Sequence, residues 1–145
     1  MHFIPALYFE DLMVQQLKLE PARTVAIFQR QPDPKFFTAG EVIFEDGQPG
    51  DYLYGILEGT VDLVVDGNII ETIEAGSVFG AGALIHPDGI RVYTAIARTD
   101  CKLAYMDQAR LLFAVQETPM FALEVMRNYS DRLRRLTRHP LDLKA

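Results

Sequence analysis

Apolar and polar positions divide the chain into three zones. Residues 5–30 read as helical: Leu7, Asp11, Leu12, Val14 and Leu17 fall at helical spacing, and a second, apolar cluster follows over Thr24–Phe28. Pro21 breaks or restarts this region, and Pro32 with Pro34 ends it. From Phe36 to Met106 the pattern shifts to short apolar runs punctuated by Gly40, Gly47, Gly50 and Gly59, which predicts closely spaced strands. The expected strands are 36–38, 41–45, 52–57, 60–66, 68–73, 77–79, 90–97 and 101–106. Asp66-Gly67, between VDLVV and NIIETI, predicts a hairpin whose two central residues take positive φ. In the strand after Pro87, Ile90, Val92, Thr94 and Ile96 share one face, and Arg91, Tyr93, Ala95 and Ala97 the other.

From Asp107 the helical period returns. Asp107 is the expected N-cap of a helix carrying Leu111, Leu112, Ala114 and Val115. Thr118-Pro119 then reads as a cap followed by proline at the first helical position. The last helix is expected from Pro119 to about Arg138, with His139-Pro140 as its stop. The fold predicted is mainly β with flanking helices: an antiparallel, jelly-roll-like β-roll with N-terminal helices and two C-terminal helices. It is read as one domain over 1–145, with helices in 1–35, the roll in 36–106, helices in 107–138 and a tail in 139–145.

Composition narrows this picture only modestly. At 145 residues and 49% hydrophobic, the chain suffices for one good core. A net charge of -6 argues against a protein that coats nucleic acid as a whole. Cys101 is the single cysteine, so no intramolecular disulfide forms; it reads as a core thiol, with Lys102 on the opposite strand face. No apolar run approaches the roughly 20 residues of a transmembrane helix, and the N-terminus lacks the basic region of a signal peptide. The expected location is therefore cytoplasmic.

The segments Phe37-Thr38-Ala39-Gly40-Glu41, Gly47 through Tyr54, Leu57-Glu58-Gly59-Thr60-Val61, Gly76-Ser77-Val78-Phe79-Gly80, Arg91 and Thr99 through Leu103 occur in a telling order. With the closing helices through Leu136, they resemble the cyclic nucleotide-binding domain shared by catabolite activators, cyclic-nucleotide-dependent kinases and gated channels. The resemblance covers roughly residues 20–138 and implies a ligand held in the β-roll against a phosphate-binding cassette. There a short helix begun by Phe-Gly-Glu offers backbone N–H groups to an anion, an arginine forks onto phosphate, and a carboxylate holds the ribose 2′-hydroxyl.

Carried over by position, the implied ligand-binding residues are Phe79, Gly80, Ala81, Gly82, Arg91 and Val92, with Thr137 near the purine. Phe79-Gly80 and Arg91 match the family. Ala81 replaces its glutamate, Val92 its Ser/Thr, and Tyr93 the small residue that follows. The resemblance therefore implies a phosphate attraction without the usual ribose contact, and weak or altered nucleotide binding. Gly80 and Gly82 either let a ligand approach the backbone closely or simply permit a tight turn. Asp88-Gly89 reads as a turn.

Metal-dependent barrel chemistry finds no support: His2, His86 and His139 stand in three distant regions with no ligand spacing. No nucleophile–base pair appears at recognisable spacing either, so the module is expected to be non-catalytic. In the last helix Ala122, Met126, Tyr129, Leu133 and Leu136 recur at near-heptad steps. This stripe is either one face packed on the roll or a homodimer seam, the use the resembled transcription factors make of it. Arg127, Arg132, Arg134, Arg135 and Arg138 are expected to make the helix basic on its polar side, with cations near the C-terminus favoured by its dipole. Only Pro140–Ala145 follow it, so sequence-specific DNA binding by this chain is not expected. Two functions fit: a regulatory module binding a phosphate-bearing small molecule such as cAMP or cGMP, or a degenerate domain serving protein–protein interaction or dimerisation with no nucleotide.

Overall fold

The computed structural model describes residues 20–138. The part of the expected 5–30 helical region that precedes residue 20, His2, and the stop at His139-Pro140 lie outside the described residues. In chain order the elements are α1 (Pro21–Phe28), β1 (Lys35–Phe37), β2 (Val42–Phe44), β3 (Leu53–Glu58), β4 (Thr60–Val65), β5 (Asn68–Glu74), β6 (Val78–Phe79), α2 (Gly82–Ile85), β7 (Thr94–Ala97), β8 (Cys101–Met106), α3 (Gln108–Glu117) and α4 (Met120–Arg138). Two four-stranded antiparallel sheets face each other, with strand orders β1-β8-β3-β6 and β2-β7-β4-β5. This is the jelly-roll-like β-roll with helices at both ends.

The β-branched and aromatic content of the strands suits a pleated, half-buried surface. Their inward side chains form the core between the sheets: Phe44, Tyr54, Ile56, Val61, Leu63, Ile73, Phe79, Ala95, Ala97, Cys101 and Leu103. Asp66 (φ 51°) and Gly67 (φ 78°) make the expected tight hairpin between β4 and β5. Cys101 is buried as read, and burial pushes its thiol up from the ordinary value.

The strand expected over 90–97 is shorter: β7 begins only at Thr94. The preceding residues pair with a turn instead of a strand. The Gly47 N–H donates to the Arg91 carbonyl, and the Arg91 N–H to the Gln48 carbonyl, both at 2.8 Å. The alternation of faces persists through this irregular stretch. Arg91, Ala95 and Ala97 are buried and Tyr93 is half-buried, while Ile90 and Val92 are exposed.

A second core lies between the helices and the β1-β8-β3-β6 sheet. Val25, Leu53, Val78, Ala81, Leu84, Ala104, Met106, Ala114 and Phe121 meet there. Pro21 starts α1, where its missing N–H has no intrahelical acceptor to lose. Asp107 caps α3, accepting from the Arg110 N–H at 2.8 Å, a bond that holds its carboxyl below the ordinary value. Helix α4 starts at Met120, immediately after the expected Pro119.

The face α4 turns to the roll carries Phe121, Glu124, Val125, Asn128, Tyr129 and Arg132. Tyr129 therefore leaves the stripe in which sequence spacing placed it. The exposed apolar residues are Leu123, Met126, Leu133 and Leu136. Strand β6 lies at an edge of its sheet, and α4 completes its outer hydrogen bonds with side chains. The Val78 N–H donates to Asn128 Oδ1 at 3.0 Å, and Arg132 Nη1 donates to the Val78 carbonyl. Arg132 also pairs with Glu71 on β5 at 3.4 Å, and Arg135 meets the same carboxylate at 3.1 Å.

Glu124 is buried against α1 and accepts from the Thr24 hydroxyl at 3.2 Å. Burial raises its carboxyl above the ordinary 4.5, so folding favours the neutral form. Its contribution is full below that ordinary value and is lost as pH rises through the raised folded value. Glu124→Gln keeps an acceptor for Thr24 without the charge. It is expected to melt above wild type at pH 7, with the gap closing toward pH 4; thermal scans across pH check this, and a pH-independent gap would contradict it.

Candidate functional site

One cavity of about 240 Å³ opens beside α2, lined by Gly80, Gly82, Ala83, His86, Asp88, Ile90, Arg91, Val92 and Tyr93. Its charged lining residues are Arg91 and Asp88. The turn at 47–50 fixes this segment from behind: besides the two Arg91 backbone bonds, the Gly50 N–H donates to the Gly89 carbonyl at 2.8 Å. Gly50 must be small, because a Cβ there would lie 2.2 Å from the Ala83 Cβ and 2.7 Å from Arg91 Nε. The inward register then carries the Arg91 side chain under the sheet rim, where the residue is only 5% exposed.

The guanidinium is oriented by neutral groups. Nη1 donates to the Gly80 carbonyl at 2.8 Å and Nη2 to the Tyr52 carbonyl at 2.6 Å. Its carbon lies 3.9 Å from the centre of the Phe44 ring, a cation–π contact in a desolvated setting. Phe44 in turn packs against Tyr54, Phe79 and Tyr93 at centroid separations of 6.1, 5.9 and 5.5 Å. Among the described residues no carboxylate pairs with Arg91, and its Nε is buried without a hydrogen-bond partner. Burial pulls the guanidinium below its ordinary value.

The backbone of the turn into α2 is largely engaged. The Gly80 N–H donates to the Tyr93 hydroxyl at 3.0 Å and the Ala81 N–H to the Tyr129 hydroxyl at 3.2 Å. Burial raises the Tyr93 phenol to about 12, so it meets the amide as a neutral oxygen. Gly82 and Ala83 open α2, and both line the cavity. Asp88 makes the expected turn, accepting from the Ile90 N–H at 3.1 Å.

The structure thus brings Gly80, Gly82, Arg91 and Val92 to one cavity. Phe79 and Ala81 lie behind its wall: Phe79 is fully buried between the sheets, and Ala81 packs with Val25, Leu53 and Leu84. Thr137 is on the exposed side of α4, with its hydroxyl donating to the Leu133 carbonyl at 2.9 Å. Gly50, Phe44, the Tyr52 carbonyl and Tyr129 were absent from the sequence reading of the site. Gly50 sits inside the quoted Gly47–Tyr54 motif, but nothing local ties it to a side chain some 40 positions on. Among the described residues, no group of three or more His, Cys, Asp or Glu is placed to hold a metal ion, and no helix is long and apolar enough to cross a membrane.

Comparison with known proteins gives concordant results. The family model for the cyclic nucleotide-binding domain matches residues 34–118. The cAMP-dependent protein kinase regulatory subunit of Eremothecium gossypii is 38% identical over 76 residues, 52% of this chain and 16% of that protein. The CRP-like cAMP-activated global transcriptional regulator of Mycobacterium tuberculosis is 29% identical over 130 residues, covering 86% of this chain and 57% of the regulator. The chain thus aligns with between one sixth and three fifths of these relatives' lengths. The Thermus thermophilus catabolite activator protein shares the fold, with a TM-score of 0.67 at 22% identity over 88% of this chain and 60% of that one.

Proposed function

The chain belongs to the cyclic nucleotide-binding domain family, and from that premise we propose that it is a non-catalytic regulatory module that binds a cyclic nucleotide weakly, through an altered cassette. The observation that carries this is the buried guanidinium of Arg91, a residue lining a 240 Å³ cavity, with no anionic partner among the described residues and an unpartnered Nε. A phosphate is the group such a cation recognises best. Ile90 and Val92, 36% and 69% exposed, supply apolar surface at the mouth for a base. The named relatives point to cAMP as the first ligand to test, with cGMP beside it.

Weakness follows from what the cavity lacks. Ala81 supplies no carboxylate and is packed away from the cavity, so the sugar hydroxyl loses a charge-assisted bond worth about 10- to 150-fold in affinity. Val92 supplies no hydroxyl beside the phosphate. Calorimetric titration and thermal shift with cAMP and cGMP test the reading. A ligand at 100 times its dissociation constant adds about 2.7 kcal/mol of stability. The absence of both heat and stabilisation with either nucleotide at millimolar concentration would overturn it.

The exposed stripe on α4 supports a second element, a homodimer. Leu123, Met126 and Leu133 are 44%, 65% and 65% exposed and recur at seam-like spacing along the helix. Leu133→Glu is expected to turn a dimer into a monomer in sedimentation equilibrium without changing the fold. A wild-type chain that is monomeric at about 100 μM would end this part of the reading.

A further inference from the structure

The carbonyl of Gly80 and the N–H of Ala81 are the two ends of one peptide group. The carbonyl accepts from Arg91 Nη1 at 2.8 Å, and the N–H donates to the Tyr129 hydroxyl at 3.2 Å. A peptide group is a rigid plane, so its orientation fixes both contacts together. Gly80, at φ 85°, has no spare room: a Cβ there would lie 2.7 Å from Arg91 Nη1. Hydrogen bonds in series also polarise one another, so the phenol on the N–H strengthens the carbonyl as an acceptor for the cation.

Tyr129 is itself held firmly. Its ring carries the Arg132 guanidinium at 4.2 Å, and Arg132, 5% exposed, is tied to Val78 and Glu71. Arg91, by contrast, is aimed among the described residues by two carbonyls and the Phe44 ring. We infer that Tyr129 is a positioning residue for Arg91: its hydroxyl sets the plane of the Gly80–Ala81 peptide, and so links anion capture in the cavity to the docking of α4 through a single peptide group. The ligand half of this inference rests on the proposed function; the positioning half stands on the ligand-free protein. By linkage, whatever α4 contributes to anion affinity, the anion returns to α4 docking.

The test begins without ligand, by NMR of ¹⁵N-labelled protein. The Arg91 Nε–Hε signal is assigned by its loss in Arg91→Gln. Tyr129→Phe keeps the ring beneath Arg132 and removes only the hydroxyl. It is expected to shift the Arg91 signal and speed its solvent exchange, whereas Asn128→Ala, which loosens the same helix at Val78, leaves that signal in place. An unmoved Arg91 signal in Tyr129→Phe, or an equal change in Asn128→Ala, overturns the inference. Should Tyr129→Phe not fold, the reverse measurement decides: Arg91→Gln must alter exchange of the Ala81 amide while sparing that of Val78.

Calorimetry with cAMP then closes a cycle of wild type, Tyr129→Phe, Arg91→Gln and the double variant. Tyr129→Phe is expected to weaken binding about three- to tenfold in wild type and to add little in Arg91→Gln. Equal losses in both backgrounds would overturn the link. If wild type binds neither cAMP nor cGMP, the proposed function fails, and the NMR comparison still decides whether Tyr129 positions Arg91.

Discussion

Arg91→Gln is expected to reduce cAMP affinity by about 100-fold or more while moving the melting temperature by only a few degrees. Two charge-assisted bonds to a phosphate, at about 1.5–3 kcal/mol each, set the size of the loss. The small stability effect follows from opposing contributions. The guanidinium satisfies the Gly80 and Tyr52 carbonyls, so its removal leaves at least one of them poorly bonded. The same removal relieves the desolvation of a cation that has no carboxylate partner among the described residues. Titration calorimetry and a thermal scan on one preparation measure both quantities. Affinity within about threefold of wild type would show that the cation does not hold the ligand.

Phe121→Ala is expected to destabilise the domain by about 3–5 kcal/mol, the range for truncating a fully buried aromatic side chain. Phe121 is 0% exposed at the first turn of α4, in the core it shares with Val25 of α1, Leu53 and Met106 of the sheet, and Ala114 of α3. Truncation opens a void in a core that α1, the sheet, α3 and α4 share. For a domain of this size such a loss is a large share of the roughly 5–15 kcal/mol available. Urea unfolding checks it; a midpoint shift worth less than about 1.5 kcal/mol would mean that α4 is held chiefly by its polar contacts.

The two-residue period made the inward face of the 90–97 segment legible, Arg91 and Tyr93 included, even though half of that segment is not a regular strand. Local chemistry was equally legible at Asp66-Gly67 and at the Asp107 cap, because each needs only its near neighbours. Tyr129 was not. A step of three or four along a helix leaves two adjacent faces indistinguishable, and distant partners such as the Ala81 amide, 48 positions away, choose between them. Ala81 and Thr137 followed family register, which carries position along the chain but not the direction in which a side chain points. Gly50 escaped because its steric neighbour is the side chain of Arg91, brought up by a turn-to-loop pairing that no periodicity encodes.

The contacts of Asn128 and Arg132 with Val78 have an implication beyond ligand capture. They stand where another ribbon would dock on the open margin of β6. Peeling the last helix away would bare a naked peptide donor and acceptor next to apolar Phe79 and Val78, an adhesive strip inviting templated stacking between neighbouring molecules. The same side chains that moor the helix therefore act as a guard against clumping, and any signal that frees it carries that hazard.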